Sequence, residues 1–163
     1  MARSFQHLEI TGTKKIMRRL NRLSTTHRNR VLRPAVNAAL TPFRRAAAAK
    51  APVRQLKYTP PGVIPGTLKK SLTKKVKVFR SSGTVLGLMG PSKARARTFI
   101  TPAGPILVDP ARYAHLVEFG HGGPRPARAY PFMRPAYDSQ RSAAQAILAA
   151  KLRSGIRRLA KSV

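Results

Sequence analysis

Residues 72–89 read LTKKVKVFRSSGTVLGLM, and this stretch decides between an all-helical and a mixed fold. From Leu72 to Arg80, Val76 and Val78 fall on one side while Lys75, Lys77 and Phe79 fall on the other. That is the partial period-two alternation of a half-buried strand. Ser81-Ser82-Gly83 supplies a turn and Thr84 to Met89 returns, so the two runs predict a β-hairpin. A second pair of strands is expected from Arg97 to Thr101 and from Pro105 to Val108, around Pro102-Ala103-Gly104.

Outward from this β region the pattern turns helical. Ile16, Met17, Leu20 and Leu23 fall at helical spacing, with Lys14, Lys15, Arg18, Arg19 and Arg22 on the other side. This reads as an amphipathic helix with a core-facing stripe, preferred over a segment lying on an anionic membrane. A second helix is predicted from about Thr26 to Lys50, carrying Val31, Ala35, Ala38, Ala39, Phe43, Ala46 and Ala47, with Pro34 and Pro42 expected to kink or divide it. Residues 51–66 hold four prolines and two glycines, a density that makes a loop. After Arg134-Pro135, residues Ala144, Ile147, Leu148, Leu152, Ile156 and Leu159 follow at three- and four-residue steps and predict the longest helix of the chain. Gly155 inside it implies close packing or a bend, because glycine there costs about 1 kcal/mol relative to alanine. The fold class is α+β: N-terminal helices, a small antiparallel β-sheet and a long C-terminal helix. Residues 1–163 are read as a single domain, with a Pro-rich loop at 51–66 and a basic loop at 121–131.

Charge sets the choice of partner. The 163 residues carry 33 Lys and Arg against 4 Asp and Glu, a formal net charge of +29. The basic residues are spread evenly, with 13 in residues 1–55, 10 in 56–110 and 10 in 111–163. Soluble domains are comfortable with a net charge of about 2 to 8 in magnitude, so a polyanion or an acidic protein surface is expected as counter-charge. Apolar content is thin: 23 alanines leave few large side chains for a core, and a partner is expected to supply part of the stability.

Absences narrow the chemistry. The chain has no cysteine, which excludes disulfides, thiol redox chemistry and Cys-based zinc sites. No apolar run approaches the ~20 residues of a membrane span, and the first residues lack a signal-peptide core, so manufacture in a cytoplasm is expected. The acids Glu9, Asp109, Glu118 and Asp138 are too sparse for paired-carboxylate catalysis and suit ion pairs or helix caps. His115, Glu118 and His121 form H-x-x-E-x-x-H, but Gly120, Gly122 and Gly123 break any helix there and the spacing is not that of a zincin. No nucleophile elbow, P-loop, zinc finger or RNP motif is present. The expectation is a protein that is not an enzyme, needs no cofactor or metal, and touches phosphates without reading sequence.

Residues 113–138 read YAHLVEFGHGGPRPARAYPFMRPAYD. Tyr113-Ala114, then Val117-Glu118-Phe119-Gly120, then Pro131-Phe132-Met133-Arg134-Pro135-Ala136 resemble the tail-component family of tailed bacteriophages, the type-one neck proteins. Upstream, Ala49-Lys50-Ala51-Pro52-Val53 and Gly66-Thr67-Leu68-Lys69-Lys70-Ser71-Leu72 are similar to the family's other landmark. From the residues themselves, Phe119 is expected as an apolar anchor, Gly120 as a positive-φ position, Phe132 as a plug at the start of the last helix, and Glu118 as the partner of a cation such as Arg134. Whether the motif only holds the monomer together or also forms a subunit interface stays open at this point. Lys69, Lys70, Lys74, Lys75, Lys77, Arg125 and Arg128 are candidates for contact with DNA or an acidic partner.

The resemblance implies a structural virion protein of the neck, assembled in the host cytoplasm. It implies a ring of this chain, six copies matching tail symmetry, between head-closure or connector proteins and the tail tube or terminator, around the DNA channel. Packaged DNA would be touched non-specifically, and no membrane is involved. Two alternatives remain: a tail-completion, terminator or minor capsid subunit, and a cellular nucleic-acid-binding protein of ribosomal or nucleoid type.

Overall fold

The computed structural model describes residues 25–53, 65–79, 81–93, 96–101, 104–123 and 126–160. In chain order these form helix α1 (Thr25–Lys50), the short helix α2 (Thr67–Ser71), strands β1 (Leu72–Phe79), β2 (Thr84–Pro91), β3 (Arg97–Thr101) and β4 (Gly104–Val108), helix α3 (Pro110–Phe119) and helix α4 (Met133–Ala160). The fold is α+β, as the alternation of residues 72–89 requires. The helix expected around residues 13–23, most of the Pro-rich loop and Arg125 lie outside the described residues.

Helix α1 organises the rest. Val31, Ala35, Ala39, Phe43 and Ala47 are buried at strict four-residue steps, one ridge of the helix, and Val31, Ala35 and Ala39 meet Leu148 and Leu152 of α4. The two helices run antiparallel: Val31 faces Gly155, while the rings of Phe43 and Tyr137 stack 5.5 Å apart near the other end. Alanines along this seam let the backbones approach closely. At Gly155 the approach is close, because a Cβ there would lie 2.6 Å from Cγ1 of Val31. The glycine expected to mark close packing or a bend therefore marks close packing.

Pro34 and Pro42 do not divide α1, which is one helix of 26 residues. A proline inside a helix costs about 3 kcal/mol, but a helix draws most of its stability from tertiary burial of its apolar face. Here the buried ridge runs on both sides of each proline. Near Pro42, Lys74 of β1 donates from Nζ to the Asn37 carbonyl at 2.9 Å and to Thr41 Oγ1 at 2.7 Å, tying the hairpin to this part of the helix.

The two hairpins are separate two-stranded antiparallel sheets. In the first, Lys74, Val76 and Val78 pair across with Met89, Gly87 and Val85 and turn toward α1. Gly87 is required there, since a Cβ would come within 2.7 Å of Val36 and 3.0 Å of Leu40. The opposite face, Lys75, Lys77, Phe79, Thr84, Leu86 and Leu88, is exposed. The second hairpin, β3–β4, makes no substantial packing against another element among the described residues. A second cluster, Ala47, Ala51, Leu68, Leu72, Ala114, Phe132 and Ala136, closes the end where α1, α2, α3 and the start of α4 converge.

Candidate assembly site

Asp109 opens α3. Its Oδ1 accepts the Ala111 amide at 3.0 Å and Pro110 occupies the first helical position, so a side-chain cap and a residue without an N–H together suit the helix start. One turn on, Tyr113 is half-buried. Its phenol is raised above the usual tyrosine range, first by burial and then by the negative charge of Asp109. Ala114 and Glu118 are buried on the face that meets the core, whereas His115 and Leu116 are exposed.

The helix stops at Gly120, with φ 71° and ψ 173°. This region of backbone space is essentially glycine-only, and a Cβ would also lie 2.7 Å from the Ala129 nitrogen and 2.8 Å from the Ala127 oxygen. The positive φ expected at Gly120 is present, and contact with the returning chain explains it further. His121 and Ala127 exchange two backbone hydrogen bonds of 3.0 and 2.9 Å, and the Tyr130 amide donates to the Val117 carbonyl at 2.8 Å. The basic loop is thus folded back against the end of α3.

Glu118 then starts the next helix. Its Oε2 accepts the amides of Phe132 at 2.8 Å and Met133 at 2.9 Å, and its Oε1 accepts that of Arg134 at 3.1 Å. A helix leaves four N–H groups without partners at its start, and its dipole favours a negative charge there. In α4 those four positions are Phe132, Met133, Arg134 and Pro135. One carboxylate satisfies three, and the fourth is a proline with no N–H. This explains why Glu-Phe-Gly and Pro-Phe-x-Arg-Pro-Ala occur together: they are the acceptor and the donors of one junction.

Two expectations are corrected by this geometry. Glu118 engages the backbone amide of Arg134, whereas the Arg134 guanidinium lies over the Phe119 ring, 4.7 Å from its centroid, a cation–π contact. The dipole and amides of a helix start are the better partner for a buried carboxylate because they leave no cation to desolvate. Phe119 is not a core anchor: it is 59% exposed, while Phe132 is fully buried as the plug. Phe119, Leu116 and Tyr130 instead stand exposed around the junction, with Arg134 over Phe119, the aromatic and arginine composition of interface hot spots. Pro131 is exposed and Pro135 half-buried, and the two line a small open groove with Lys50 and Tyr130.

Residues 14–120 match the protein family described as "Bacteriophage HK97-gp10, putative tail-component". The chain belongs to this family. The match covers about two thirds of the sequence and ends at Gly120. Pro131–Ala136 lie beyond it and join it physically through Glu118. No curated protein and no solved structure matches the chain significantly. The HK97-gp10-like protein is a bacteriophage tail component, a virion protein whose partners include other virion proteins. No helix among the described residues is long and apolar enough to cross a membrane.

The basic candidates fall in three settings. Lys69 and Lys70 on α2, Lys75 and Lys77 on β1 and Arg128 in the loop are exposed. Lys74 points the other way and spends its ammonium on Asn37 and Thr41. These cations do not converge on one pocket. Sequence reasoning missed the link from Glu118 to three amides, since contacts spanning 14–16 residues between side chain and backbone leave no periodic signal.

Proposed function

We propose that this tail component is a structural ring subunit of the neck, joining head-closure proteins to the tail tube around the DNA channel, with six copies matching the symmetry of the tail. The observation that carries the reading is a family of tail components combined with a formal charge of +29 spread over all three thirds of the sequence. In a ring, copies of such a chain repel one another unless DNA or acidic faces of adjacent proteins neutralise them. The junction built on Glu118 leaves Phe119, Leu116 and Tyr130 exposed, and these offer apolar surface to a neighbouring virion protein. The role is architectural rather than catalytic, and it needs no metal or cofactor.

The test is the mass of the protein in solution at low and high salt, with and without short duplex DNA. A discrete closed assembly, alone or formed with a neck or tail protein, is the expected result. A monomer that coats DNA with a steep salt dependence and never closes would instead favour a general nucleic-acid-binding protein. In the DNA titration, Lys75→Ala and Lys77→Ala should each reduce the slope of log affinity against log salt by about 0.9 without loss of fold. Lys74→Ala should leave that slope unchanged and lower stability.

A further inference from the structure

Among the described residues, no other element packs substantially on the β3–β4 hairpin. Ile100 is 88% exposed and Leu107 is 55% exposed, and the register puts them on one face with Thr98 and Pro105, through the pairs Thr98–Leu107 and Ile100–Pro105. All four residues are exposed. Residues 98–108 contain no charged side chain. The connection from β2 is only residues 92–96, and the hairpin does not pack substantially onto β1–β2 within the chain. The result is an arm with one uncharged, largely apolar face on a strongly cationic protein.

The outward face of β1–β2 is the matching surface. Phe79, Leu86 and Leu88 are 41–45% exposed there, bordered by Lys75 and Lys77, which stand opposite Leu88 and Leu86. Exposed apolar patches of this kind mark interaction sites. An occupant from another copy of a +29 chain must bring no further positive charge, and the face of the arm meets that condition. Lysine stems beside the leucines add apolar area while their ammonium groups stay in water.

We infer that the β3–β4 arm of one copy packs on the outward face of β1–β2 of the next, with Ile100 and Leu107 against Leu86, Leu88 and Phe79. The two surfaces differ, so the contact is heterologous and propagates head to tail, the kind that closes into a ring when the rotation permits. This rests on the ring reading above and names the segments that would build the ring.

The chain has no cysteine, which makes the test direct. Leu107→Cys and Leu88→Cys chains are prepared separately and treated with a short bismaleimide, alone and mixed. The expected result is a covalent dimer in the mixture only, and a ladder ending at ring size when one chain carries both substitutions. In parallel, Ile100→Asp should abolish assembly in sedimentation at unchanged melting temperature, since Ile100 is 88% exposed among the described residues. Cross-linking of Leu107→Cys with itself would overturn the inference, because the arms would then meet each other. An Ile100→Asp chain that still forms closed rings, or rings that give no mixed cross-link, would overturn it while leaving the ring intact. Sedimentation of the unsubstituted chain as a monomer under every salt and DNA condition and with neck and tail proteins present, with no cross-link, would overturn the ring and the arm together.

Discussion

Glu118 accepts the backbone amide of Arg134 at 3.1 Å while the guanidinium of the same residue lies over Phe119. The acid and the arginine are neighbours through the main chain. Two substitutions separate this arrangement from an ion pair. Glu118→Ala should leave three amides at the start of α4 without an acceptor and cost about 3 kcal/mol, because donors stripped of their partner in a buried site lose their full desolvation. Arg134→Ala should cost only about 0.5–1 kcal/mol, the worth of an exposed cation–π contact. Chemical denaturation of both variants checks this, and equal losses would restore the ion pair.

Gly120 holds the other half of the junction. A Gly120→Ala chain must place a methyl group against the Ala127 and Ala129 backbone at a φ of 71° and ψ of 173°. Backbone cannot yield as a flexible side chain does, so the expected loss is about 3 kcal/mol or more. Exchange protection of the Tyr130 amide, bonded to Val117, should fall with it, and unchanged protection would show that the loop is held by other contacts.

The reach of the sequence differs from element to element. The first hairpin was legible because β1 alternates and the turn is marked, and α4 because its apolar spacing persists to Leu159. The continuity of α1 was not legible, since the weight of Pro34 and Pro42 is local whereas the ridge from Val31 to Ala47 stabilises only once α4 is in place. At the site, the motif residues could be named but their roles were exchanged. Phe132 and Gly120 behave as their types suggest, yet Phe119 is exposed and Glu118 serves amides. An amide donor has no signature in the residue type that carries it. Likewise the β3–β4 strands were visible as strands, but that no other described element packs substantially on them is a property of the packed fold.

Tyr113 gives the molecule a response to alkali. Its phenol titrates above the ordinary value of 10.0 in the folded state, from burial first and the charge of Asp109 second. The folded chain therefore holds this proton where the unfolded chain has released it, so the contribution is complete below pH 10 and is lost as pH rises through the folded value. Melting temperature followed from pH 8 to about 11.5 should fall less steeply in Tyr113→Phe than in the parent chain. Parallel curves would show that other groups govern the alkaline limit.

Val31 and Gly155 test the helix seam. In Gly155→Ala the new Cβ falls 2.6 Å from Cγ1, 3.2 Å from Cγ2 and 3.3 Å from Cβ of Val31. Alanine gains about 1 kcal/mol in helix propensity, while forcing a methyl into a filled seam costs about 1–3 kcal/mol. All three contacting atoms belong to a β-branched side chain with little rotameric freedom in a helix, so the crowding should win and the variant should lose stability by about 1 kcal/mol. Val31→Ala alone should also be destabilising, through the cavity it leaves. The double variant Val31→Ala, Gly155→Ala should recover most of both losses, because the incoming methyl occupies space that the valine vacates. A coupling energy near zero in this cycle would mean that the two helices shift apart at this level rather than interlock.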